Sequence, residues 1–454
     1  MEIAGKRVVV VGLARSGLAA ARLLLRLGAR VVATDAKSPE ELPGAEALEE
    51  EGAQLVLGGH PPEILAGARL LVLSPGVPGN IPFLQEARRW GIPIWSEIEL
   101  AYRYCPAPIL AITGANGKTT TTAWLGAMLQ AGGRKVVVAG NIGTPLTAVV
   151  EDVTPEHLVV AEISSFQLEG THAFHPHMAA LLNLTADHLD RHGSFAAYKG
   201  AKARIFANQD PADFSILNAD DREVRSLGSR VPGQLYWFSR QGEPDRGAFV
   251  RKGYLVLKEE GGLRELCPVE ELALPGEHNL ENGLAAALMA YLAGTPAGAI
   301  ARVLRNFAGI EHRCELVAEI AGVKFVNDSK GTNPEATIKA LRAFSEPIIL
   351  IAGGRTKGSD FSEWAGLVKE RVKRVILLGE AAPLLEGVLR AADYHNLERV
   401  ASLEEAVAEA FAAAGPGECV LLSPACASWD MFTSYEERGR AFKEAVAQLG
   451  RGRK

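Results

Sequence analysis

The 454-residue sequence has no C-x-x-C pair and no dense cysteine framework; Cys105, Cys267, Cys314, Cys419 and Cys426 are scattered along it. That spacing argues against a thiolate zinc site or a disulfide scaffold and for reduced thiols. Long apolar runs are missing as well. The longest, such as VVVVGLA and PIILIAGG, fall far short of the roughly 18 residues a membrane span needs, and they end in glycine turns, so they read as buried strands. No Lys/Arg block is long enough to track a phosphate backbone, and the formal net charge is -6, so no nucleic acid partner is expected. There is no short fixed-period repeat and no low-complexity tract. The opening MEIAGKRVVVVGLARSG sets an acid beside Met1 and enters a strand at once, unlike a charged leader with an apolar segment and cleavage site. A cytoplasmic protein without membrane contact is expected.

What is present is material for several cores. At 48% hydrophobic and 22% charged the composition is that of a globular protein, and its length predicts about three domains of roughly 100 to 200 residues. KRVVVVGLARSGLAAARLLLRLGARVVATD gives strand, glycine turn, amphipathic helix and strand, a βαβ unit ending at Asp35. Strands at AQLVLG, LLVLSPG and PIWS complete a Rossmann-like domain over 1–97. A second α/β domain, 98–309, starts at APILAIT and alternates RKVVVAGN, LVVAEISS and MAALLNLT with helical segments. Its stretch QLYWFSRQGEPDRGAFVRKGYLVLKEEGGLREL predicts a small antiparallel sheet. GEHNLENGLAAALMAYLAG is then a helix with an apolar face. KFVNDSK, PIILIAGG, RVILLGE and CVLLSPA restart the alternation, which predicts a third, Rossmann-like α/β domain over 310–454.

The chemistry concentrates at turns. In AITGANGKTTTTAWLGAML a glycine turn separates a buried strand from a helix. The amides of Gly114, Ala115, Asn116 and Gly117 can face phosphates, Lys118 can reach β/γ oxygens, and the Thr119 hydroxyl, with Thr120 behind it, can meet Mg²⁺. The loop is shorter than G-x-x-x-x-G-K-[ST], because Ala111 stands where that count would begin. Glu162 in VVAEISSFQLE ends a strand, either as a metal ligand beside the phosphate loop or as a solvated carboxylate. In NLTADHLDRHGSFAAYKGAKARIF, Asp187 and His188 follow another strand, and Lys202 lies on a helix; metal-site and purely structural or solvated roles both fit. Asn279 and Asn282 are i, i+3 on one helix face, suited to a nucleotide or to helix capping. EHRCE with Arg313, NDSKGTNPEA with Asp328, AGGRTKGSDF with Lys357 and SPACASWDMF with Ser428 follow, and the last three turns share the strand-end edge of the third domain, as a binding surface would. VGLARSG is a degenerate dinucleotide fingerprint in which Ala14 replaces the glycine that lets backbone approach pyrophosphate. Gly12, Ala14 to Gly17 and Asp35 could still hold a nucleotide diphosphate; NAD is the other reading.

Taken in order, TGANGKTTT, AEISSFQLE, DHLDRHG…YKGAK, GEHNLEN, EHR, NDSKGTN, AGGRTKG and SPACASWD resemble the motifs of the Mur ligases of peptidoglycan synthesis, over essentially the whole chain. The D-N-P-R motif of the diaminopimelate- or lysine-adding branch is missing, and Asn116 replaces the histidine usual in the L-alanine-adding branch. The resemblance is therefore to the branch that joins D-glutamate to UDP-N-acetylmuramoyl-L-alanine, with both as small-molecule substrates. It implies an N-terminal domain holding the UDP-sugar through Gly12, Arg15, Ser16, Asp35, Lys37, Ser74 and Gly76, although Ala36 and Lys37 stand where the family often has threonine and arginine. Asn141, Ser164 and His188 would contact the same substrate. It implies ATP on the 114–120 loop, with Asn141, Asn279, Asn282, Arg313 and Asp328, and two Mg²⁺ held by Thr119, Glu162, His188 and a carbamylated Lys202. D-Glutamate would meet Thr332, Lys357, Ser428, Trp429 and Tyr435. The implied reaction activates the L-alanyl carboxylate as an acyl phosphate, which the amine of D-glutamate attacks, in a monomeric enzyme. Folylpolyglutamate synthetase is disfavoured by the extra N-terminal domain, and a P-loop switch protein would need no amino acid.

Overall fold

The computed structural model describes residues 2–451, apart from Pro43, Ile142, Ala308 and Lys357. The chain divides into two compact units, Met1–Phe307 and Ala308–Lys454. The first unit contains two sheets. One is built from β1 (Arg7–Val11), β2 (Arg30–Asp35), β3 (Gln54–Leu57), β4 (Ala68–Leu73) and β5 (Ile94–Ser96), all parallel in the order β3-β2-β1-β4-β5. This is the doubly wound order, whose switch point lies between β1 and β4. Period two explains why β1 is a run of valines: Val8 and Val10 enter one core, while Val9 and Val11 enter the core on the other face.

The other sheet of this unit has nine strands. They are β6 (Ile109–Thr113), β7 (Lys135–Gly140), β8 (His157–Glu162), β9 (Met178–Leu181), β10 (Phe214–Asn218), β11 (Gln234–Ser239), β12 (Gly247–Arg251), β13 (Tyr254–Glu259) and β14 (Gly262–Pro268). Their order is β14-β13-β12-β11-β10-β9-β6-β8-β7. The same alternation divides β6, with Leu110 and Ile112 in one core and Ile109 and Ala111 in the other. The antiparallel strands expected from QLYWFSRQGEPDRGAFVRKGYLVLKEEGGLREL are present in a different arrangement. β11 pairs in parallel with β10, and only β12-β13-β14 form an antiparallel meander, joined edge-on to the parallel sheet. Joining it covers the outer edge of β11, which would otherwise expose unpaired backbone groups.

The second unit has β15 (Glu315–Ile320), β16 (Val323–Asn327), β17 (Ile348–Gly353), β18 (Val372–Leu378), β19 (Leu397–Arg399) and β20 (Cys419–Ala425), in the order β15-β16-β20-β17-β18-β19. Only the edge pair β15-β16 is antiparallel. Ile348, Leu350 and Ala352 face one core and Ile349 and Ile351 the other. No helix among the described residues is long and apolar enough to cross a membrane.

Candidate active site

Thr113 ends β6, and the chain turns through Gly114 (φ +158°) and Gly117 (φ +81°) into the helix Lys118–Ala131. Gly117 occupies the left-handed region, which an L side chain enters at a cost. A Cβ there would also stand 2.1 Å from Asn282 Oδ1. Asn282 is 4% exposed, on the helix Glu277–Leu292; it accepts from Thr121 Oγ1 at 3.3 Å and donates to Asn279 Oδ1 at 3.4 Å. The two amides do share a face, and Asn282 supports the loop from beneath. Asn183, which sequence reasoning passed over, grips the loop from β9's end. It accepts from Asn116 N at 2.8 Å, returns its amide to Asn116 O at 3.1 Å, and accepts from Ala115 N through its own carbonyl at 3.1 Å. Its signal was a polar residue just after the apolar run MAALL, at a strand end beside the loop.

Lys118 Nζ donates to the carbonyls of Gly114 and Ala115, each at 2.9 Å. Lys202, on the helix Phe195–Ala203, reaches the same Gly114 carbonyl at 2.8 Å. Its amine also lies over the Tyr198 ring, 4.8 Å from the centroid. Burial pushes the Lys202 amine down to about 7, the Lys118 charge adds to that fall, and Asp187 and Glu162 oppose it. Glu162, 2% exposed at the end of β8, accepts from Thr119 Oγ1 through one carboxylate oxygen and from Asn141 Nδ2 through the other, both at 2.8 Å. Thr119, Glu162 and Asn141 thus form one contiguous set of hard oxygen and amide groups beside the loop.

Ser164 caps the short helix Ser165–Glu169 in a capping box with Gln167. Gln167 Nε2 in turn donates at 2.7 Å to Glu97, a fully buried carboxyl that burial pushes up to about 7. His188 adopts φ +53° and is half exposed, against Asp187 and the Phe166 ring. His192 is the buried imidazole of this segment: it bonds Glu169 and Ser165, and burial lowers its pKa. Arg191, also unforeseen, stacks on Phe166 and donates to the carbonyls of Pro75 and Val77 at 2.7 and 2.8 Å.

That turn is part of the N-terminal cluster. Gly12 (φ +87°) closes β1, and a Cβ on it would stand 2.4 Å from Val77. Ser74 is buried beside it, Gly76 is exposed, and Asp35 accepts from the Leu13 amide at 2.6 Å and the Lys37 amide at 3.0 Å. Arg15 donates to Gly143 O at 2.9 Å, and Ser16 follows it on the first helical turn. Gly12, Arg15, Ser16, Asp35, Lys37, Ser74 and Gly76 therefore gather at the C-terminal ends of β1, β2 and β4.

In the unit Ala308–Lys454, Asp328 is 5% exposed and accepts from Ser423 Oγ at 2.7 Å; burial pushes its carboxyl up to about 6. Ser428 is buried, Trp429 is 59% exposed, Thr332 is half-buried, and Arg313 is exposed at a β-bridge with Ile310. Tyr435 accepts from Ser329 Oγ through its carbonyl at 2.8 Å, and Lys330 Nζ stands over its ring. Lys357 lies outside the described residues. Arg438 joins these turns. Buried to 2% exposure, its guanidinium donates to Ser329 O at 2.9 Å, Cys426 O at 3.2 Å and Gly353 O at 3.4 Å. It thereby fastens the NDSKGTN, SPACAS and AGGRTKG turns to one cation. Only the charged start of the last helix, YEERGR, hinted at it.

Comparison with known proteins agrees along the whole length. The MurD-like, N-terminal domain of Mur ligases matches residues 6–96, the Mur ligase middle domain 112–290, and the "Mur ligase, glutamate ligase domain" 312–426. The UDP-N-acetylmuramoylalanine--D-glutamate ligase of Pelotomaculum thermopropionicum is 48% identical over 448 residues, 98% of each chain. That of Caldanaerobacter subterraneus subsp. tengcongensis is 48% identical over 99% of this chain and all of its own. Among solved structures, UDP-N-acetylmuramate-alanine ligase MurC from Thermotoga maritima shares the fold, with a TM-score of 0.58 at 18% identity over 98% of this chain and 99% of that one. Since family models fall on consecutive segments and relatives align end to end at nearly half identity, the chain belongs to the Mur ligase family.

Proposed function

We propose that the protein is an ATP-dependent ligase that joins D-glutamate to UDP-N-acetylmuramoyl-L-alanine in peptidoglycan precursor synthesis, acting as a cytoplasmic monomer. Residues 1–97 hold the UDP-sugar, 98–309 the ATP and 310–454 the amino acid. The observation that carries this reading is the convergence of Lys118 and Lys202 on the Gly114 carbonyl, beside the Thr119–Glu162–Asn141 set.

Joining a carboxylate to an amine is uphill in water unless the carboxylate is first activated. An oxygen of the L-alanyl carboxylate attacks the γ-phosphorus of ATP, ADP leaves, and the amine of D-glutamate attacks the acyl carbon. The tetrahedral adduct then collapses to amide and phosphate. Phosphoryl transfer needs charge neutralisation and alignment, which the helix N-terminus after Gly117 and the Lys118 ammonium provide. The residues present fit Mg²⁺: Thr119 and Glu162 offer hard oxygens, and a carbamylated Lys202 with His188 would complete two sites. Bound there, Mg²⁺ would neutralise phosphate charge. With its pKa near 7, the Lys202 amine is substantially neutral at neutral pH. Its nitrogen can add to CO₂ and shed a proton, so a buried cation becomes an anion suited to Mg²⁺. Asn141 supports the γ-phosphate, Asn279 the adenine, and Thr332, Lys357, Ser428, Trp429 and Tyr435 receive D-glutamate.

The test is phosphate release and product mass from ATP and UDP-N-acetylmuramoyl-L-alanine with D-Glu, L-Glu, L-Ala, L-Lys and meso-diaminopimelate. D-Glutamate should be ligated fastest. Faster ligation of any other acceptor sinks the specificity, and ATP turnover indifferent to acceptors sinks the ligase reading in favour of a switch.

A further inference from the structure

The phosphate loop and Glu162 lie at the C-terminal ends of β6 and β8. At the opposite edge of the same sheet, where β9 and β10 begin, a second group of chemically active side chains converges. A ring nitrogen of His175 and carboxylate oxygens of Asp210 and Asp213 lie within 4.8 Å of one another. His175 Nε2 lies against Asp213 Oδ2, and His177 Nδ1 is 3.1 Å from Asp213 Oδ1. We propose that His175, Asp210 and Asp213, with His177 as a second imidazole, bind a borderline divalent metal ion of the Zn²⁺ class, separate from the Mg²⁺ chemistry of the phosphate loop.

Four features support it. The donor set mixes two imidazole nitrogens with carboxylate oxygens, which suits Zn²⁺ and its late first-row neighbours better than Mg²⁺, a harder ion that prefers oxygen. The donors come from two segments that are already fixed to each other. Asn208 Nδ2 donates to the carbonyls of His172 and Phe174, both at 2.9 Å, and Gln209 Nε2 donates to those of Pro176 and Phe214 at 3.1 and 3.0 Å. Asp213, 7% exposed in its side chain, is fixed by accepting from the Asp210 amide at 2.8 Å, which holds its two oxygens against the two imidazoles. Finally, one imidazole would suffice for an ion pair, yet the H-P-H spacing turns two onto a single carboxylate, and Asp210 supplies a further, exposed oxygen that can close on an ion. A metal there would cross-link residues 172–177 to 208–213 and brace the starts of β9 and β10.

The test uses the full-length protein, stripped with chelator and dialysed, then titrated calorimetrically with Zn²⁺ in excess Mg²⁺; Co²⁺ absorption reports the ligand field. Asp213 also holds backbone, so the variants are His175→Asn and His177→Asn, both partly exposed. The parent should bind one Zn²⁺ per chain and melt higher with it. His175→Asn should bind at least about tenfold more weakly and lose the melting shift, while its acceptor-dependent ATP turnover in Mg²⁺ stays as in the parent. Zn²⁺ binding absent from the parent, or unchanged in both variants and so adventitious only, overturns the proposal.

Discussion

Lys118 and Lys202 donate to one acceptor, the carbonyl oxygen of Gly114, at 2.9 and 2.8 Å. Two ammonium groups on a neutral oxygen repel each other, and the more deeply buried of the two yields its proton more easily. On the proposed reading, Lys118 faces phosphate while the buried Lys202 amine is available to add CO₂.

Replacing Lys118 with Ala should reduce ligation by about 10² to 10³, since a preorganised charge at the transferring phosphoryl group is worth roughly 3 to 4 kcal/mol. Phosphate release measures it. Activity within about tenfold of the parent would refute the phosphate role.

For Lys202 the pH dependence has a definite sign. Its folded pKa, about 7, is below the usual 10.5, so below about pH 7 the charged amine carries its full burial penalty. The penalty shrinks as pH rises and is gone above the unfolded value. In CO₂-free buffer, Lys202→Met should therefore stabilise the fold near neutral pH and lose that advantage near pH 10 in urea melts. The parent's activity should fall when CO₂ is stripped and return with bicarbonate. Full activity in Lys202→Ala would rule the carbamate out.

Gly117→Ala combines a left-handed φ with a contact on Asn282 Oδ1, so it should cost about 1 to 3 kcal/mol in stability and weaken ATP binding. In a double-mutant cycle, Asn282→Ala should relieve the clash and leave the φ strain. Simple additivity of the two changes would mean that the Asn282 contact is immaterial.

The turn from β6 through Gly114 and Gly117 into the helix Lys118–Ala131 was legible because it is local: a strand, a glycine turn and a Lys-Thr helix start follow each other in the chain. So were most strands, since runs such as RVVVV and IILIAG are buried on both faces and need no alternation to be recognised. Asn183, Arg191 and Arg438 were not, because each acts through backbone carbonyls or amides far away in sequence, and sequence motifs carry no record of which carbonyl a side chain meets. β10 was missed for a related reason. FSILN is short, and nothing local reveals that it pairs in parallel with both β9 and β11. β11 was assigned to the antiparallel group because its neighbours in sequence form one.

Glu97 gives a second pH test, of opposite sense. Burial raises its folded pKa to about 7, so its favourable contribution is present below the unfolded value of about 4.5 and is lost as pH rises through 7. Stability of the parent measured between about pH 5 and pH 8 should include this decline. Glu97→Gln, which retains an oxygen to accept from Gln167, should lack it. An identical slope in both proteins would contradict a buried, titrating Glu97.

Arg438→Met should be among the most damaging changes in the second unit. It strands the carbonyls of Ser329, Cys426 and Gly353 and should cost about 3 kcal/mol or more. If the variant folds, KM for D-glutamate should rise much more than KM for the UDP-substrate. An unchanged melting temperature would show that the three turns hold without it.

Arg191 carries a different consequence. By holding the carbonyls of Pro75 and Val77 from the segment that contains His188, it gives the turn after β4 and the edge of the phosphate-loop site a shared position. If a ligand that shifts the turn also moves Arg191, it alters the affinity of one bound beside His188, and thermodynamic reciprocity then makes the second alter the first by the same factor. Each ligand's dissociation constant is then a property of both pockets.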